Sequence, residues 1–449
     1  MTERCEGDWA KVSLEDLAAP IRNALVGGPF GSELVSADYS PTGVAVIRGE
    51  NLTHGRWVDG DFAFVPPEKA ERLAANTAGP FDIIFTQRGA NHYKQVAVVP
   101  AGAERFVISQ SQMKLTVDLR KADPLFAYYL FRAPVQQEYL QRHAIQTGVP
   151  HTNLSILRKM PLGLPPLSVQ HAIVDILSTL DDKIELNRQM NGTLEAMARA
   201  IFKSWFVDFD PVRAKAEGRQ PRGMDPATAA QFPDSFKASP VGEAPTGWGV
   251  GTVSELLSLE RDIIDPEDYP LEGFDLYSIP AFDEGRVPHL ETGEQIKSTK
   301  FLVPSSCVLL SKLNPRIPRV WLPAAQRERR VICSTEFLVA VPRPGVPVEL
   351  LYGLLTSTSF LEVFATLVTG TSGSHQRVRP EDLLGIATVL PPPETATRFA
   401  SAVRPILQSI DCHLAESQTL AALRDTLLPK LVSGEIRLKD TERVVGATT

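Results

Sequence analysis

The chain has 449 residues, 43% hydrophobic and 22% charged, with 46 basic and 53 acidic side chains for a formal net charge of −7. That length exceeds what one hydrophobic core usually organises, so two or more domains are expected. The charge balance excludes a surface coated in positive charge and leaves local basic patches open.

Four cysteines, Cys5, Cys307, Cys333 and Cys412, include no CxxC pair, which argues against a disulfide framework and a structural zinc site. The first residues, MTERCEGDWAKVSLEDL, hold no apolar core of signal-peptide length. No run approaches the ~18 apolar residues of a membrane span. A reduced, soluble, cytoplasmic chain is expected.

Taken in order, residues 1–165 show short β-rich runs (GVAVIRG, FDIIFTQ, KQVAVVP, KLTVDL) between Gly, Pro, Asp and Asn turns. A helical segment over 124–142 follows, and the mixture reads as α+β. Residues 166–209 are different. From 168 to 206 there is no proline, and Gly192 is the one glycine. Ile173, Leu177, Leu180, Ile184, Asn187, Asn191 and Leu194 fall at alternating steps of four and three, the seam of a long helix. The segment 210–246, with six prolines, reads as a linker or a surface strap. Residues 247–392 repeat the β-rich pattern, 393–436 repeat the long helix, and 437–449 read as a tail.

The two halves are copies. Trp9 matches Trp248, 81–88 match 305–312, 108–113 match 332–337, LPPL at 164–167 matches LPPP at 390–393, and 176–184 match 406–414. Five matches in one order are hard to reconcile with chance. Leu407, Ile410 and Leu414 carry the seam in the second helix. Two helices of about 40 residues, each about 60 Å long, could pair as an antiparallel coiled coil, with Asn187 and Asn191 as the polar residues that fix register.

Catalytic motifs are missing. GGPFGS at 27–32 lacks the lysine and spacing of a P-loop, and no G-x-G-x-x-G, G-x-S-x-G or H-E-x-x-H occurs. Asn314-Pro315 opens like the motif of amino-methyltransferases, but Arg316 ends the match. No catalytic residue, metal site or cofactor site is expected.

The positive charge is local. Residues 297–330 hold eight basic side chains against Glu328 alone, and 88–114 hold four against Glu104. The two zones occupy matching places in the repeat, as expected for phosphate contacts. Side chains suited to base edges stand around them. In the first copy these are Gln87, Arg88, Asn91, His92, Lys94, Gln110 and Gln112. In the second they are Lys312, Asn314, Arg316, Arg319, Arg327, Arg329, Arg330, His375, Gln376 and Arg377.

The stretch LPPLSVQHAIVDILSTLDDKIELNRQMNGTLEAMARAIFKSWFVDFDPV strongly resembles the central conserved region of type I restriction–modification specificity subunits. GPFGSEL, Asp38-Tyr39 and GVAVIRGENL look like the opening of a first target-recognition domain, and LRDTLLPKLVSGEIRL looks like the distal conserved region. The second copy lacks a GPFGS near its start. The resemblance implies two tandem target-recognition domains, each followed by a long helix, that read a bipartite, asymmetric duplex DNA target without catalysis. It further implies helices that dock two modification (methyltransferase) subunits, together with ATP-dependent restriction subunits. S-adenosylmethionine, ATP and Mg would belong to those partners. Two other readings compete: a methyltransferase or nuclease with fused recognition domains, and a coiled-coil scaffold that binds protein.

Overall fold

The computed structural model describes residues 9–52, 55–88, 95–146, 150–324, 329–369 and 376–436. The chain divides into two units, Met1–Leu186 with Glu416–Thr449, and Asn187–Ala415. Each is α+β.

In the first unit, Ala10–Ser13 pairs antiparallel with Pro161–Leu164 and clamps the start of the globular part to its end. One four-stranded sheet runs in the order Leu25–Gly27, Gln112–Leu115, Ile83–Thr86, Val96–Val98. Ile83–Thr86 is buried at every position, the signature of an inner strand with both faces covered. A second sheet has the order Ala63–Val65, Val44–Ile47, Phe106–Ile108, Thr77–Ala78, and its two central strands are parallel. Helix Pro124–Arg132 starts on Asp123, whose carboxylate accepts from the Leu125 and Phe126 N–H groups at 2.7 and 3.1 Å, with proline at its first position. Its Phe126, Tyr128, Tyr129 and Phe131 enter the main core.

The second unit repeats this plan. Gly249–Thr252 pairs with Ala387–Leu390; one sheet runs Leu257–Glu260, Phe337–Pro342, Val308–Ser311, Val320–Trp321. The other centres on the parallel pair Gly273–Tyr277 and Arg330–Cys333. Helix Val348–Thr356 stands where Pro124–Arg132 stands in the first unit.

The structure corrects the alignment of the copies in two places. Phe85 pairs with Met113 and Leu310 pairs with Leu338, so residue 85 answers to 310, one position beyond the sequence match. One residue in a strand exchanges its faces, so Gln87, not Arg88, is the counterpart of Lys312. The long helices, Leu167–Phe206 and Pro393–Val432, each have 40 residues and correspond end to end. Leu177 therefore answers to Val403 instead of Leu407. The slip is four residues, about one turn, and leaves an apolar stripe nearly unchanged.

Each unit takes one part of each long helix. Ile173, Leu177 and Leu180 share the first unit's core with Leu427, Leu428 and Leu431. Ala198, Phe202 and Trp205 share the second unit's core with Phe399, Val403 and Leu407. Early residues of one helix meet late residues of the other, so the pairing in each unit is antiparallel. Asn187 and Asn191 are buried on the seam: Asn187 Nδ2 donates to the His413 carbonyl at 3.4 Å, and His413 Nδ1 lies 2.8 Å from Asn191 Oδ1. Ile184, Leu194, Ile410 and Leu414 are half-buried.

Segment 210–246 is not a free linker. It forms helices Asp210–Ala216 and Pro226–Ala229 and a hairpin of Phe236–Ser239 with Gly242–Pro245. Proline sits at the first turn of both helices, where no backbone donor is lost. Val212 and Phe232 are buried in the second unit's core, and Trp205 meets Phe232 edge-on at 5.2 Å. The few apolar residues are anchors, which composition alone does not reveal.

One close approach distinguishes the units. A Cβ at Gly353 would lie 2.4 Å from Phe202 Cδ2, so helix Val348–Thr356 rests on the long helix through a glycine. The sixth residue of the corresponding helix in the first unit is Tyr129.

Candidate nucleic-acid interface

Strand Ile83–Thr86 ends beside the start of Gln112–Leu115, and the next residues carry the first copy's candidates. The Gln87 N–H donates to the Ser111 carbonyl at 2.6 Å, and the Gln87 carbonyl accepts from the Thr152 N–H at 2.9 Å. These bonds fix the backbone from which Arg88 projects, exposed and bridged to His151. Gln110, in the adjoining turn, is exposed, but its Nε2 donates to the Gly31 and Leu34 carbonyls, both at 2.6 Å. It orders the GPFGS loop.

Gln112 is not a base-reading residue. It is fully buried, opposite Thr86, and its Oε1 accepts from the Ser109 hydroxyl. Lys114, counted in the first basic zone, is buried against Asp82 at 3.2 Å. Asn91, His92, Lys94, Arg327 and His375 lie outside the described residues.

The second unit builds the same corner. The Lys312 N–H donates to the Glu336 carbonyl at 3.0 Å, as Gln87 does to Ser111. Asn314 sits at φ 48°, a left-handed conformation that asparagine tolerates, and its N–H donates to the Gln376 carbonyl at 2.9 Å. Its turn presents Arg316, which is exposed and has no acidic partner among the described residues.

Most of the other cations are internally paired, and here the charge count misled. Arg319 is only 9% exposed and grips Asp283 through Nε and Nη2 at 2.7 and 2.8 Å. It holds helix Ile279–Asp283 and is not a surface contact. Arg377 makes a bidentate pair with Glu336, Nε to Oε2 at 3.0 Å and Nη2 to Oε1 at 2.9 Å; that guanidinium holds the Glu336 carboxyl below the usual range. Arg329 donates to Asp275 at 3.4 Å, while Arg330 meets Glu272 at 3.1 Å and lies over the Tyr269 ring at 4.6 Å. Acidic residues distant in sequence supply these partners, so a window count cannot see them.

The helix side of the first unit carries a network that sequence reasoning missed. Tyr129 Oη donates to Asp181 Oδ2 at 2.7 Å, Arg424 Nη1 donates to Asp181 Oδ1 at 2.7 Å, and Arg56 reaches Tyr129 Oη at 3.3 Å and pairs with Asp182. The second unit has Arg286 and Arg199 converging on Glu195. The available signal was a run of charged residues inside a helix seam. Among the described residues no group of three His, Cys, Asp or Glu could hold a metal ion, and no single helix is long and apolar enough to cross a membrane.

Each of the two α+β units carries a related sheet corner beside paired segments of the long helices. Residues 81–196 match the family model described as the type I restriction modification DNA specificity domain. The chain is 26% identical to the type I restriction enzyme HindI specificity subunit of Haemophilus influenzae, over 96% of this chain and 100% of that protein. It is 27% identical to the MjaIX specificity subunit of Methanocaldococcus jannaschii, over 70% and 69% of the two chains. The solved type I system S subunit from M. genitalium shares the fold, with a TM-score of 0.51 at 16% identity, covering 96% of this chain and 98% of that one. In sequence and in fold the chain is thus similar to type I restriction–modification specificity subunits.

Proposed function

We propose that this chain is the non-catalytic DNA-specificity subunit of a type I restriction–modification complex. It reads a bipartite, asymmetric duplex target, one half with each unit, through the loops at one end of each main sheet. The observation that carries this reading is the duplicated corner: Gln87 and Lys312, fixed by the same backbone bond, each directly follow a strand at the same sheet end. Arg88 and Arg316 are exposed cations at those corners, and phosphate or guanine contacts suit them. The likeness to specificity subunits along 96% of the chain supports the absence of catalysis here. It also supports docking of two modification subunits and of restriction subunits, which would bring S-adenosylmethionine, ATP and Mg. A protein with this task works in the cytoplasm. The test is an electrophoretic titration of the chain, with its modification subunits, against random duplexes. Enrichment of a split motif is expected, and binding with no sequence preference would sink the proposal. Binding of S-adenosylmethionine by the isolated chain would favour a fused methyltransferase instead.

A further inference from the structure

Phe30 is 87% exposed, among the most exposed large apolar side chains of the described residues. An isolated surface phenylalanine needs no explanation by itself, but this one stands on a loop that is fixed from several sides. The Phe30 N–H donates to Glu33 Oε2 at 2.9 Å, and the Phe30 carbonyl accepts from the Glu33 N–H at 2.7 Å. Gln110 Nε2 holds the Gly31 and Leu34 carbonyls. The Gly28 N–H donates to the Gln112 carbonyl at 2.8 Å, and a Cβ on Gly28 would lie 2.0 Å from the Ser109 carbonyl oxygen. The backbone that carries the ring is thus held firmly, with the ring projecting into solvent. The loop follows strand Leu25–Gly27, whose Gly27 pairs with Met113, and so it adjoins the turn that leads into Gln112 and the backbone bonded to Gln87. The second unit differs here: counted from the strand register, the position of Phe30 falls on Ile264, a strand residue only 8% exposed.

We infer that Phe30 is a specificity-determining residue that presses its ring against apolar base surface in one half of the DNA target. The inference rests on the DNA-reading function proposed above. Duplex DNA offers that surface in two places: the thymine methyl group in the major groove, and the base face at a step that a side chain can partly unstack. A ring held off the protein by a fixed backbone enters either without the entropic cost of ordering a loop.

The experiment uses the full chain assembled with its modification subunits and a duplex bearing the motif mapped from methylated positions in the host genome. Phe30→Ala should weaken binding to that duplex by at least about fivefold. Affinity for random DNA and the salt slope should stay unchanged, because no phosphate contact is lost. Uracil in place of each half-site thymine should reproduce the loss if the methyl group is the partner. A 2-aminopurine fluorescence rise, absent with Phe30→Ala, should appear if a step is unstacked. Wild-type affinity of the variant for a verified target would overturn the inference and leave the function standing. Lost affinity with neither signature would also overturn it, by placing the ring off the bases. No target preference in the wild-type complex would remove the function itself.

Discussion

Arg424 donates to Asp181 at 2.7 Å from the far end of the chain, and both side chains are largely withdrawn from water, at 14% and 9% exposure. Tyr129 takes the second carboxylate oxygen. Two charges so placed are held by their mutual bonds and by the cost of separating them. Asp181→Ala, which leaves Arg424 buried without its main acidic partner, should destabilise the first unit by about 3–5 kcal/mol. Replacing Asp181 and Arg424 together by leucine should recover most of that loss. Chemical denaturation of the two variants checks this; equal losses would show that the pair acts as something other than a coupled unit.

Arg316 and Arg319, three residues apart, should behave as different kinds of residue. Arg316→Ala should weaken DNA binding and lower the salt slope by about one, leaving thermal unfolding unaltered. Arg319→Ala should lower the unfolding temperature of the second unit, because Asp283 loses a bidentate partner. Titration across salt and a melting curve separate the two. An unchanged salt slope for Arg316→Ala would place that residue off the DNA.

Burial pushes the Asp411 carboxyl up to about 6. The folded state then holds its proton more tightly than the unfolded state, where the group titrates near 4. Stability falls as pH rises from about 4 to about 6 and stays reduced above that window. Asp411→Asn should therefore raise the melting temperature at pH 7.5 and change it little at pH 4. A gain of equal size at both values would contradict the linkage.

Phe232 fastens the strap to the second unit, buried against Trp205 and 6.0 Å from Trp248. Phe232→Ala should cost roughly 3–5 kcal/mol. Faster proteolysis within 210–246 should accompany it. A strap equally resistant in the variant would show that its hydrogen bonds, such as those from Lys215 Nζ to the Ala229 and Phe232 carbonyls, suffice.

The duplication, the long helices and the α+β class were legible because period and repetition survive substitution. Register was not. Residues 81–88 align as well one place off, since apolar strand residues resemble their neighbours, and a one-turn slip keeps a helical stripe apolar. The site was half legible. Arg88 and Arg316 stand exposed where the charge pattern put them, while Gln112 and Arg319 are buried by partners that arrive from elsewhere in the chain. Phe30 lies in plain view inside a glycine-rich motif that lacks a P-loop's lysine. A ring's exposure depends on loop geometry, which the string of letters does not contain.

Gly353 and Tyr129 hold the same place in the two halves, and so do Phe202 and Leu428 on the long helices. The first unit holds Tyr129 and Leu428 within one core, and the second sets a bare backbone against a phenyl ring. The halves are therefore built alike but are not spare parts for one another. Moving helix Pro124–Arg132 into the second half would drive a tyrosine into Phe202. Helix Val348–Thr356 and Phe202 come from different copies of the repeat, so a shuffled chain keeps its packing only where the two copies are matched at this contact.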